Sequence, residues 1–102
     1  MSTKSKTRKF LESVTGESLS FGGLLLSIRL SEEESQVEFS SFLGISKSHL
    51  CDIEKGRKSI SPKKAAEYAK TLGYSPEQFV KLAIQDDLER AGLNLTVDIK
   101  AS

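Results

Sequence analysis

Between Ser46 and Lys58 the chain carries a dense run of side chains that exchange hydrogen bonds or carry charge: Ser46, Lys47, Ser48, His49, Asp52, Lys55, Arg57 and Lys58. Their chemistry is recognition rather than bond making. A lysine ammonium donates to guanine O6 or N7, a serine hydroxyl donates or accepts at several bases, and a carboxylate accepts from the cytosine amino group. Other chemistries find little support. His49 is the sole histidine, and Cys51, two residues on, projects from a different helical face, so no metal site is expected. Cys51, on a helix face beside lysines, has the surroundings of a redox-sensitive thiol, but a redox switch is the minor reading of it. No Ser/His/Asp arrangement and no glycine-rich phosphate loop occurs, so neither an enzyme nor a bound cofactor is expected.

Charge supports this only through its distribution. The 102 residues carry a net charge of +1, which argues against a uniformly basic nucleic-acid binder. From Lys47 to Lys64, however, Lys47, Lys55, Arg57, Lys58, Lys63 and Lys64 face only Asp52 and Glu54, while the acidic excess lies at Glu32, Glu33, Glu34 and Glu38 and at Asp86, Asp87 and Glu89. A polarised molecule of this kind attracts phosphate on one face, although solvated loop lysines give the same count. The length suits one compact domain. Nothing approaches the roughly 18 consecutive apolar residues of a membrane span, and Met1 to Lys9 lacks the apolar core of a secretory signal. The single cysteine suits a reducing cytoplasm.

The elements that position these residues are legible from helix punctuation. Residues 1–20, rich in Ser, Thr and Lys, read as a flexible basic arm. A first helix is predicted from Phe21 to Leu30, with Phe21, Leu24, Leu25 and Ile28 on one stripe. Ser35 and Glu38 form a capping box that opens a second helix at Gln36, running to Leu43 and burying Val37, Phe39 and Leu43. Gly44 closes it, and Ser46 caps a third helix from Lys47 to about Lys55, with Leu50 and Ile53 inward and Gly56 at its end. Ser61-Pro62 and Ser75-Pro76 each start a helix with proline at the first position; the fourth ends before Gly73 and the fifth near Ala91. Leu93, Leu95, Val97 and Ile99 then alternate with polar residues, which predicts a β-strand.

Two short helices joined by a three-residue turn containing glycine match the helix-turn-helix pattern, whose second helix enters the major groove. From about Phe21 to Val80, and most clearly in Gln36–Gly56, QVEFSSFLGISKSHLCDIEKG, the chain resembles the Cro and lambdoid-repressor (XRE) helix-turn-helix family. The resemblance implies an all-α, five-helix lambda-repressor-like DNA-binding domain over residues 21–91, with the arm before it and a C-terminal strand at 92–102. It implies base contacts from Lys47, Ser48 and Asp52. Phosphate contacts would come from Gln36, Ser46, Lys55, Arg57 and Lys58, with His49 added as a further phosphate contact. It also implies a structural ion pair between Arg29 and Glu54. Two positions depart from the family pattern. Ser40 stands where alanine is usual, and Asp52 brings an anion to a negative groove, where it either accepts from cytosine or repels other sequences.

A lone strand leaves its edge unsatisfied. Leu93, Leu95, Val97 and Ile99 therefore pair either with a symmetry mate, giving a homodimer that reads a palindromic operator, or with the chain's own arm. On the fifth helix Phe79, Leu82 and Ala83 face a core, while Val80, Ile84 and Leu88 either widen it or form a dimer seam. The arrangement also resembles antitoxins of the HigA-like and HipB-like types, which implies a cytoplasmic repressor of bacterial or phage origin whose partners are double-stranded DNA and a cognate toxin. A solitary repressor, and a protein-interaction module that binds a toxin or other partner without specific DNA recognition, are the alternatives.

Overall fold

The computed structural model describes residues 20–100; the arm expected before Phe21 lies outside the described residues except for Ser20. The described residues form five helices: α1 (Phe21–Ser31), α2 (Gln36–Leu43), α3 (Lys47–Glu54), α4 (Pro62–Leu72) and α5 (Pro76–Arg90). None is long and apolar enough to cross a membrane. Contacts divide the chain into two compact units, Met1–Arg57 and Lys58–Ser102.

The first unit contains α1, α2 and α3. Ser20 accepts a hydrogen bond from the Gly23 amide at 2.9 Å and so satisfies one of the free donors at the start of α1. Phe21, Leu24, Leu25 and Ile28 are buried along one stripe of that helix. At the start of α2 both halves of the capping box form: the Glu38 amide donates to Ser35 Oγ at 3.1 Å, and the Ser35 amide donates to Glu38 Oε1 at 2.9 Å. Hydrogen bonding to the Glu38 carboxyl from the Ser35 amide, and then from the Ser35 side chain, lowers its pKa from the ordinary carboxylate value. Phe39 is fully buried. Val37, expected inside, is instead 59% exposed. It lies two residues before Phe39, about 200° round a helix from it, so the two cannot share one buried face.

One chain reversal in this unit uses an unfavoured residue. After α1, Glu33 adopts φ 56, with its amide donating to the Leu30 carbonyl and that of Glu34 to the Arg29 carbonyl, both at 3.1 Å. The left-handed conformation costs a side-chain-bearing residue roughly 1–2 kcal/mol.

In the second unit Ser61 caps α4 by accepting from the Lys64 amide at 3.2 Å, and both α4 and α5 begin with proline. Ser75 makes no such side-chain bond. Ala65, Tyr68, Ala69 and Leu72 of α4 are buried, as are Phe79 and Ala83 of α5. The Tyr74 and Phe79 rings stack with centroids 5.9 Å apart. Leu82, Val80, Ile84 and Leu88 are half-buried, so α5 has a narrow buried stripe with partly covered apolar shoulders.

The predicted C-terminal strand is not present: among the described residues no strand forms, and 93–100 has no regular secondary structure. The physical reason is a side chain. Gln85 Nε2 donates to the Leu95 carbonyl at 2.7 Å, and the Val97 amide donates to Gln85 Oε1 at 2.9 Å. One primary amide thus satisfies the two backbone groups flanking Thr96, as a neighbouring strand would. Leu93 and Leu95 remain 48% and 58% exposed, and Val97 and Ile99 are half-buried.

Candidate nucleic-acid interface

The position of α3 is fixed from behind. Ser46 Oγ accepts from the His49 amide at 3.0 Å and starts the helix at Lys47. Leu50 and Ile53, three residues apart and therefore on one face, expose 0% and 1% of their surface. Gly22 of α1 lies directly against the end of α3. A Cβ there would overlap the Ile53 carbonyl oxygen and come within 3.0 Å of that of Glu54. Backbone meets backbone at this point, and sequence reading passed over Gly22 because its role depends on a partner thirty residues away.

A polar cluster locks the same end. Arg29 Nε donates to Glu54 Oε2 at 2.8 Å and Arg29 Nη2 to Glu54 Oε1 at 3.1 Å, the forked geometry that suits guanidinium and carboxylate. The two side chains are only 13% and 4% exposed. Arg29 Nη1 also donates to the Glu34 carbonyl at 3.0 Å, and Gln36 Nε2 donates to Glu54 Oε1 at 2.9 Å. Gln36, expected at phosphate, is therefore a member of this cluster through one of its amide hydrogens. A second N–H and the carbonyl oxygen of its side chain are not engaged by Glu54.

The turn between α2 and α3 is short. The Gly44 amide donates to the Ser41 carbonyl at 3.1 Å and the Ile45 amide to the Ser40 carbonyl at 2.9 Å. Ser40 is 4% exposed, and its hydroxyl donates to the Val37 carbonyl at 3.0 Å, so burial leaves it satisfied. A hydroxyl at this tightly packed position is accommodated within its own helix.

The opposite flank of α3 is open. Lys47 and Ser48 are exposed, Asp52 and Cys51 half-exposed, and Lys55 exposed just past the helix. Ser48 and Asp52 are four residues apart and share one face, with Lys55 a turn further on. Beyond them the chain turns back at Gly56, whose φ of 76 suits glycine. The Gly56 amide donates to the Ile53 carbonyl at 3.0 Å and the Arg57 amide to the Asp52 carbonyl at 2.8 Å. This returns Arg57 to Asp52, and Arg57 Nη1 lies 3.3 Å from Asp52 Oδ1. Lys58 begins the second unit; its side chain is exposed and its carbonyl accepts from Arg90 Nη2 at 3.3 Å.

Among the described residues no group of three or more His, Cys, Asp or Glu is placed to hold a metal ion. His49 is half-buried at the first turn of α3 and Cys51 is a free thiol of intermediate exposure. The arrangement offers a short rod with a braced back and a front of donors and acceptors.

A family model described as helix-turn-helix matches residues 27–79, just over half of the chain, and these residues include all of α2, the turn and α3. No curated protein and no solved structure matches the chain. The matched segment and the paired short helices agree on one assignment: the chain belongs to the XRE-type helix-turn-helix family, whose members are DNA-binding transcription regulators.

Proposed function

We propose that this protein is a sequence-specific transcriptional repressor that inserts α3 into the major groove of its operator, with no enzymatic activity. The carrying observation is the division of α3 into a buried face, Leu50 and Ile53, and an exposed one headed by Lys47 and Ser48. Lys47 and Ser48 meet base edges at the start of the helix, and Asp52 meets them further along. Phosphates are contacted by Ser46, His49, Lys55 and Lys58, and by the part of the Gln36 amide that Glu54 leaves free. Ser46 suits the role because its oxygen already accepts from the His49 amide, leaving its proton to donate.

The operator is palindromic and the protein acts as a homodimer in the cytoplasm. Exposed Leu93 and Leu95, with Val97 and Ile99 beside them, supply apolar surface for the second copy. Two recognition helices then meet half-sites about 34 Å apart. Selection of bound fragments from random duplexes tests the reading: it predicts an inverted repeat with half-sites about one helical turn apart. Affinity for that repeat should fall log-linearly between 50 and 200 mM salt as phosphate contacts are lost. Recovery of unrelated sequences, or salt-indifferent binding, contradicts it and favours a protein-interaction module.

A second role as the antitoxin of a toxin–antitoxin operon is favoured by apolar side chains on the first unit that DNA recognition does not need: Leu30, Val37 and Phe42, exposed by 59%, 59% and 57%. Co-expression with the product of the adjacent reading frame tests it. Rescue from that product's toxicity, with a stable complex, is the expected result; a harmless or non-binding neighbour leaves a solitary repressor.

A further inference from the structure

Asp52 is an anion on the flank proposed to face a polyanion, and the chain has built it a counter-charge. The Gly56 reversal puts Arg57 at the position that usually makes an apolar contact with the residue at 52 in this kind of helix ending. Here that contact is ionic, Arg57 Nη1 to Asp52 Oδ1 at 3.3 Å, beside the 2.8 Å bond between their backbone groups. The pair is solvent-facing, with side chains 61% and 33% exposed, so it adds little to stability. Its effect is orientation. The Arg57 side chain is held against α3 at Asp52, on the flank that also carries Ser48, instead of lying out along the backbone.

We infer that Asp52 and Arg57 act as one unit in operator recognition, Asp52 bracing Arg57 so that the guanidinium reads a guanine in the major groove. The inference rests on the proposed DNA-binding function and changes the expected role of Arg57 from phosphate contact to base reader. One guanidinium N–H is spent on Asp52, and the others remain for guanine O6 and N7, the bidentate pairing arginine makes best. Pairing also removes the repulsion that a bare carboxylate would meet in the groove. Asp52 Oδ2 stays available to accept from a cytosine amino group, so the unit favours a G·C pair on both counts.

The test is selection from random duplexes with the wild type, Arg57→Ala, Arg57→Lys, Asp52→Ala and the double variant Asp52→Ala/Arg57→Ala, with thermal melting to show that each variant folds. Affinities of the selected operator and of random duplex are then measured at several salt concentrations. The wild type should show a G·C preference at one position in each half-site. Arg57→Ala and Asp52→Ala should each lose much of that same preference, by roughly 5- to 100-fold in discrimination, and the double variant should lose less than the two single losses added together. Arg57→Lys keeps the charge but lacks the fork, so it should lose the preference while the salt slope holds. If Arg57→Ala leaves every base preference intact and lowers the salt slope by about one, Arg57 is a phosphate contact and the inference is overturned. It is equally overturned if Asp52→Ala abolishes a preference that Arg57→Ala retains. A wild type that selects no sequence overturns the DNA-binding reading itself, an outcome distinct from either of these.

Discussion

Along one flank of α3, Leu50 and Ile53 are buried, Gly22 admits the backbone of another helix, and Glu54 is held by Arg29 and Gln36. Along the other, Lys47 and Ser48 are exposed, and Asp52 pairs with Arg57 from just beyond the end of the helix. The difference separates two kinds of consequence. Substitutions behind the helix should change stability first and binding only through it; substitutions in front should change binding while the fold persists.

The comparison breaks most severely at Glu54. Glu54→Ala strands the nearly buried Arg29 guanidinium and unties Gln36, an expected loss of about 3–5 kcal/mol in chemical denaturation. Gly22→Ala comes next. Its methyl group meets backbone carbonyls that have no rotamer to give, so α1 and α3 must separate, at a cost of about 1–3 kcal/mol. Melting of that variant should fall without any change in base preference per folded molecule. Glu33→Gly sharpens the comparison in the opposite direction. Relief of the left-handed strain should stabilise the protein by about 0.5–1 kcal/mol after the added chain entropy of glycine, read as a higher melting temperature.

The smallest effect is electrostatic. Glu38 has its carboxyl depressed by two bonds from Ser35, so its contribution is present above the ordinary carboxylate value and fades as pH falls through the lowered one. Glu38→Gln should therefore lower the neutral plateau slightly and leave the acid end unchanged, so that the acid limb of stability against pH is flatter. An unchanged acid limb would show that the capping box contributes no measurable proton linkage.

These sites also mark how far the sequence can be read. Helix starts were legible because a cap is local: Ser35, Ser46 and Ser61 each accept from an amide three residues on, although Ser75, of the same pattern, makes no such bond. The inward pair Leu50 and Ile53, and the outward Lys47, followed from helical periodicity alone. The last segment was not legible in the same way. Its period-two pattern registers which residues are apolar, whereas a strand requires a backbone partner, and Gln85 takes that place with a side chain. Val37 was misplaced because an apolar residue beside a cap was counted with a core it does not face. The Gly22 approach and the Arg57–Asp52 pair depend on how the chain reverses, and neither leaves a compositional trace.

The central claim, that α3 presents Lys47 to base edges, is tested most directly by Lys47→Ala on two duplexes, the selected operator and a random sequence, at one salt concentration. The account predicts a loss of about 1–3 kcal/mol on the operator beyond any loss on random DNA, with melting unchanged. Equal losses on both duplexes would contradict it, since Lys47 would then be touching phosphate and reading nothing.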